Sequence, residues 1–221
     1  MGRDTFLAAG LLLLLGATAA QAGTVSTVAG NGIHGFSGDG GPAVSASLRS
    51  PMGVAASSDG TIYFADNLNF RIRSVSGGII NTIAGNGDQG NSGDGGFAID
   101  ATLEGVLSIA LDDSRRALYI SDLGNNRIRK VDLDSGIISA FAGSGAIGNS
   151  GDDDIGPNAE LAGPEGLAVD ALGTVYIADT FNCRIRSVDP DIGIISHYAG
   201  DPGCTELFQP TRLAFDSAGN A

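Results

Sequence analysis

The 221-residue chain contains no tryptophan and one lysine, Lys130. Its only histidines, His34 and His197, stand far apart, and its only cysteines are Cys183 and Cys204. Zinc sites need Cys and His clustered at short spacing, so this pattern excludes one. Twelve bases face 25 acids, a net charge of −13. That balance excludes a nucleic acid held through a basic face. No useful helical period follows residue 22; stretches such as 42–48 allow a turn or two at most. Glycine, by contrast, is abundant at 35 residues. The excess has no collagen-like period, and glycine at this density belongs to turns. Hydrophobic residues reach 43%, enough to bury a core and exclude global disorder.

Residues 1–22 read as a cleavable leader. A 13-residue apolar run, Leu7 to Ala19, is followed by Ala20-Gln21-Ala22, a small-x-small cleavage signal. The run is too short for a bilayer, which needs about 20 residues. The alternative is a buried apolar segment of the fold. No cysteine follows the run to carry a lipid, and Phe6 breaks the myristoylation pattern. The expectation is a chain that starts at Gly23, has no membrane span, and is secreted, periplasmic or in the cell envelope.

Repetition dominates the rest. Tyr63-Phe64-Ala65-Asp66 returns at Tyr119–Asp122 and Tyr176–Asp179, steps of 56 and 57 residues. Arg71-Ile72-Arg73 returns at Arg127–Arg129 and Arg184–Arg186. Ile79–Gly85 returns at Ile137–Gly143 and Ile194–Gly200, and Gly53-Val54-Ala55 at Gly166-Leu167-Ala168. Fixed-period self-similarity means a repeat architecture. Copy three predicts four strands: Gly166–Asp170, Val175–Asp179, Arg184–Asp189 and Ile194–Ala199. Each is rich in Val, Ile or Tyr, and four-residue turns separate them. The predicted fold is all-β, a β-propeller with one four-stranded antiparallel blade per repeat.

The string Gly-Leu-Ala-Val-Asp, then Tyr-Ile-Ala-Asp, then Asn-x-Arg-Ile-Arg, then Ile-Ile-x-x-x-Ala-Gly resembles the NHL repeat, of the secreted bacterial type with Ser-Gly-Asp-Gly connections. The resemblance covers residues 24–216. The family's Asn-His-Leu is degenerate here: Asn69-Phe70-Arg71, Asn125-Asn126-Arg127 and Asn182-Cys183-Arg184. It implies a propeller over 23–221, with repeats at 31–85, 86–143 and 144–200 and a partial one at 201–221. Residues 24–30 would be the outer strand of a closing blade, and Leu213–Asp216 the first strand of a fourth repeat. Propellers usually need about four to eight blades, so the expectation is a fragment, or a ring completed by another chain as an oligomer.

Three kinds of loop residue invite chemistry. Gly30-x-Gly32-x-x-Gly35 and its copies fit a dinucleotide fingerprint, but no helix follows to hold a phosphate. Ser37-Gly38-Asp39, Ser92-Gly93-Asp94 and Ser150-Gly151-Asp152 crowd acids onto the face that carries the blade connections, most densely at Asp152-Asp153-Asp154. These five aspartates, Asp39, Asp94, Asp152, Asp153 and Asp154, are the tentative binding residues. Ca²⁺ is the ion such oxygens would suit; the plainer reading is that each Asp hydrogen-bonds its own turn. No cofactor is expected. Asp66/Arg71, Asp122/Arg127 and Asp179/Arg184 flank the hairpin loops and read as structural bridges at each hairpin mouth. Cys183 lies in such a loop and Cys204 in the next connection, shortened and without Ser-Gly-Asp, so a Cys183–Cys204 disulfide is predicted.

The expected function is an exported, non-catalytic propeller that binds a protein or glycan through its loop face. No catalytic constellation is visible. The alternative is part of a propeller enzyme of the metal-dependent lactonase or lyase type, with a site in the central channel.

Overall fold

The computed structural model describes residues 25–201 and 203–215. The expected leader lies outside them. Blade one holds β1 (Gly41–Pro42), β2 (Pro51–Ala56), β3 (Ile62–Asp66), β4 (Arg71–Ser76) and β5 (Ile79–Ala84). Blade two holds β6 (Val106–Asp112), β7 (Ala117–Asp122), β8 (Arg127–Asp132) and β9 (Ile138–Ala142). Blade three holds β10 (Asp154–Ile155), β11 (Pro164–Val169), β12 (Val175–Asp179), β13 (Arg184–Val188) and β14 (Ile194–Gly200). Each sheet is an antiparallel meander running outward from the hub. In blades one and three the incoming connection adds a fifth, two-residue strand at the outer edge. In blade two a single Phe97–Ile137 bridge takes its place.

The core lies between blades, because strand alternation sends successive side chains to opposite neighbours. Tyr63, Ala65, Ile72 and Ala84 of blade one pack on Ile109, Ile120, Val131 and Ile138 of blade two. The same positions recur one seam later, where Tyr119, Ile128 and Ala142 meet Leu167, Ile177, Val188 and Ile195. At the hub each innermost strand bulges: between Pro51 and Val54, Val106 and Ile109, and Pro164 and Leu167. The bulges bring backbones close. A Cβ on Gly53 would sit 2.7 Å from the Ser108 Cα, so glycine is required there.

The second hairpin of each blade turns through a short 3-10 segment: Asn67–Asn69, Leu123–Asn125 and Thr180–Asn182. Each ends on a left-handed residue: Phe70, Asn126 or Cys183. These are the predicted four-residue loops. Of the two expected strands at 24–30 and Leu213–Asp216, the described residues 25–30 and 213–215 pair with no strand among the described residues. Backbone N–H and C=O groups need a ladder partner to make a strand. Residues 211–213 instead lie against Gly166, where the innermost strand of a further blade would run.

Candidate functional site

The repeated polar centre is built where three pieces of chain meet. Asp66, Asp122 and Asp179 end β3, β7 and β12 and are wholly buried. Each accepts a backbone N–H from the chain entering its blade: Arg49 at 2.7 Å, Glu104 at 2.7 Å and Ala162 at 2.8 Å. Each also accepts from an asparagine of the hairpin turn, Asn69, Asn125 or Asn182, at 2.8, 2.9 and 2.8 Å. The same amides donate to the Gly35, Gly90 and Gly148 carbonyls, each at 2.7 Å. The connection is thereby tied down onto the hairpin.

The bridging arginine is the second of each Arg-Ile-Arg. Arg73, Arg129 and Arg186 are wholly buried and lie 3.2, 3.6 and 3.8 Å from Asp66, Asp122 and Asp179. Their far ends meet Asp39, Asp94 and Asp152 at 2.7, 2.8 and 2.7 Å. The expected bridges Asp66/Arg71, Asp122/Arg127 and Asp179/Arg184 are therefore corrected by two residues. Those pairs face each other only in backbone register. At the hairpin mouth the first arginine is half-buried, and Arg127 and Arg184 also reach Asp94 and Asp152 at 3.7 and 3.4 Å. Arg71 donates to the Asn69 and Asn86 carbonyls and stacks on Phe36 at 3.8 Å. Arg127 donates to Ser144 and Arg184 to Asn149. Two residues further on, the same strand face is roofed by the connection. A guanidinium there is stable only between carboxylates.

This arrangement engages the acidic loops. Asp39, Asp94 and Asp152 each point at a buried guanidinium, which repels a cation. Asp153 accepts the Ser196 hydroxyl at 3.4 Å, and Asp154 accepts the Ile155 N–H at 2.7 Å, so the acidic triplet diverges. Among the described residues no group of three His, Cys, Asp or Glu converges as a metal site. Burial pushes the Asp122 carboxyl up to about 6, with Asn125, Glu104 and Arg129 opposing it. Burial also raises Asp179 and lifts the Tyr119 phenol to about 12.

The six residues missed from sequence are Arg73, Arg129, Arg186, Asn69, Asn125 and Asn182. The signal was present: in Arg-Ile-Arg the period of two puts both arginines on one face, and an asparagine stands two residues ahead of each pair.

The loop face around these centres is apolar at its tips. Ile33, Phe36 and Leu68 are exposed in blade one, Phe181 (62%) and Ile147 (77%) in and beside blade three, and Phe208 beyond it. At the hub, a cavity of about 560 Å³ is lined by the innermost strands and by Thr211–Leu213. Ser108, Glu165 and Arg212 face it beside Val54, Ile109 and Leu167. The predicted disulfide is present. Cys183 and Cys204 are bonded, with Cα atoms 5.2 Å apart.

Comparison with known proteins matches the teneurin NHL domain over residues 23–91 and the NHL repeat over 161–186. NHL repeat-containing protein 2 of Bos taurus is 30% identical over 166 residues, covering 68% of this chain and 22% of that protein. Teneurin-4 of Homo sapiens is 38% identical over 104 residues, 41% of this chain and 4% of that protein. The chain thus spans under a quarter of the curated relatives it matches. Among solved structures, a nidogen/laminin complex aligns with TM-score 0.54 at 23% identity, covering 76% of this chain and 53% of that one. A streptogramin B lyase aligns with TM-score 0.53 at 18% identity, covering 76% and 46%. Both show the fold.

Proposed function

We propose, on the premise that this chain belongs to the NHL-repeat family, that it is an exported, non-catalytic scaffold whose loop face docks a protein. One observation carries the reading. The charged centre of every blade is the same, while the tips above it differ from repeat to repeat. Position 68 is leucine, its counterparts are Gly124 and Phe181, and position 33 is isoleucine against Asp88 and Ala146. Residues repeated in every blade serve the scaffold, whereas a unique site needs unique residues. Large apolar side chains held exposed on rigid loops are the anchors protein interfaces use. The tips favour a protein over a glycan because they pair aliphatic with aromatic side chains and leave the repeated polar groups engaged below. The nidogen/laminin structure is a protein–protein complex on this fold, which supports the reading by analogy.

The test is capture. Immobilised chain is compared with a Phe181→Glu, Ile147→Glu variant for retention of proteins from the producer's medium and envelope. We expect a specific protein to be retained by the first and lost from the second. Equal retention, or none by either, overturns the reading. Export is tested separately by N-terminal sequencing, with Gly23 expected at the mature end and a retained Met1 contradicting it.

A further inference from the structure

The connection into blade three departs from its sisters at three acidic positions. Where connections 30–48 and 85–103 read Gly40-Gly41 and Gly95-Gly96, connection 143–161 reads Asp153-Asp154. Where they place Ser47 and Thr102, it places Glu160. The buried centre does not call for these acids, because Asp152 already meets Arg186 at 2.7 Å and Arg184 at 3.4 Å. Asp153 and Asp154 are exposed and Glu160 is half-buried. Among the described residues no base pairs with any of the three. Their contacts point apart: Asp153 to the Ser196 hydroxyl at 3.4 Å, Asp154 to the Asn158 amide at 3.4 Å, Glu160 to the Ser150 hydroxyl at 3.0 Å. They make a negative field, not a cage for an ion.

Two exposed apolar side chains stand among these acids. The Phe181 ring lies on Gly163, where a Cβ would come within 2.5 Å of it, and the Phe181 N–H donates to the Ala162 carbonyl at 3.0 Å. Its backbone is therefore fixed while its outer face is open. Ile147 is bridged to Leu161, and a Cβ on the next residue, Gly148, would overlap the Glu160 carboxylate. The Asn182 amide joins the two tips by donating to the Gly148 carbonyl at 2.7 Å. Phe181, Ile147 and Glu160 thus share one small area, with Asp153 and Asp154 toward the outer edge, where β10 pairs β14. Arg184, the base of this hairpin, is engaged by Asp152 and the Asn149 carbonyl. Blade one also has apolar tips, but Leu68 neighbours the exposed Arg49, and Phe36 is stacked under Arg71. Blade two has acids, Asp88 and Glu104, but glycine at its hairpin tip, Gly124.

We infer, resting on the docking reading above, that the segment seated at blade three is basic: a stretch of the partner protein that lays an apolar side chain between Phe181 and Ile147 and turns Lys or Arg toward Glu160, Asp153 and Asp154. Apolar contact at the rigid tips supplies affinity. Charge of opposite sign around them steers the encounter and fixes the orientation. A neutral or acidic segment would cover unpaired carboxylates or meet them with like charge, and either costs binding.

The experiment selects short random peptides displayed on phage against the immobilised chain. Enriched peptides are expected to combine Lys or Arg with Leu, Phe or Trp. One of them, fluorescently labelled, is then titrated by anisotropy against the parent and two variants. The Asp153→Gly, Asp154→Gly, Glu160→Thr variant restores the sister residues, and glycine suits the left-handed backbone at 153 (φ 68°) as it does at Gly40 and Gly95. The Asp134→Asn, Asp189→Asn, Asp191→Asn variant removes the same charge from the opposite face. Binding is expected to weaken about tenfold or more in the first and at most about twofold in the second. Equal weakening in both overturns the inference, since net charge alone would then act. So does the absence of any enriched peptide. Enriched peptides that are apolar without bases, and that lose binding on Phe181→Ala, Ile147→Ala, overturn the basic partner and leave the docking reading standing. Peptides indifferent to both tips overturn that reading as well.

Discussion

At the residue scale, two arginines two positions apart on one strand do different work. Arg129 is wholly buried between Asp122 and Asp94, whereas the Arg127 side chain is 24% exposed and donates to the Ser144 carbonyl. Removing a partner from a buried pair leaves an uncompensated charge. Arg129→Ala is therefore expected to destabilise the chain by about 3–5 kcal/mol. Arg127→Ala should cost about 1 kcal/mol or less, as for a partly exposed pair. Urea denaturation of the two variants measures the contrast. Equal losses would return the bridge to the hairpin mouth.

At the element scale, blades are sewn to one another by loops on the face opposite the connections. Asp113, in the first hairpin of blade two, accepts hydrogen bonds from Ser57 Oγ at 2.6 Å and the Ser58 N–H at 2.9 Å in blade one. The serine hydroxyls and that N–H hold its carboxyl down at about 2. A carboxyl lowered on folding stabilises the fold above its unfolded value, about 4, and loses that contribution as pH falls toward about 2. Asp122 has the opposite sign. With its carboxyl raised to about 6, its ionisation opposes folding as pH climbs from about 4 through 6. The Ser57→Ala, Ser58→Ala variant should therefore be less stable than the parent at pH 5, with the gap closing by about pH 2. Chemical denaturation at a series of pH values checks this; a gap constant with pH would show that Asp113 does not carry the seam.

The strands and turns of these elements were legible because each signal is local. Val-, Ile- and Tyr-rich runs, glycine and asparagine turns, and a fixed period specify a meander without knowledge of its neighbours. The Asp–Arg pairing was not, because period two puts Arg71 and Arg73 on the same face. Only the roof formed by the connection, more than 30 residues away, decides which is buried. Residues 25–30 and 213–215 misled for a related reason. Strand composition is written in the segment, but its hydrogen-bond partner is not. The disulfide was readable because a cysteine replaced the missing Ser-Gly-Asp in the one aberrant connection.

At the scale of the whole molecule, every seam repeats one set of contacts, and among the described residues blade one leaves that set partly open, with Val54 exposed above the buried Phe64 and Val75. Val28, Met52, Val54, Phe64 and Val75 line an open apolar groove of about 390 Å³ on its outer face. The equivalent Ile109, Ile120 and Val131 are buried under blade one. Units of this kind take stability from their neighbours. Purified residues 23–221 are therefore expected to self-associate as concentration rises, and sedimentation velocity reads this directly. A compact monomer at every concentration, melting cooperatively, would show that three blades suffice. Val54→Asp should weaken the association without disturbing the inner seams.

Because each Asp of a connection binds the arginine of the blade it leads into, the heritable unit is offset from the visible blade. A gene segment cut after Gly85 and after Gly143 carries Asp94 together with Arg129, and leaves Asp39 with Arg73 and Asp152 with Arg186. A junction out of register that drops Asp94 but keeps Arg129 would instead separate a buried cation from its counter-ion. Copy number in such a chain can thus change by recombination in register, and excision of 86–143 should give a shorter chain with every remaining charge still matched.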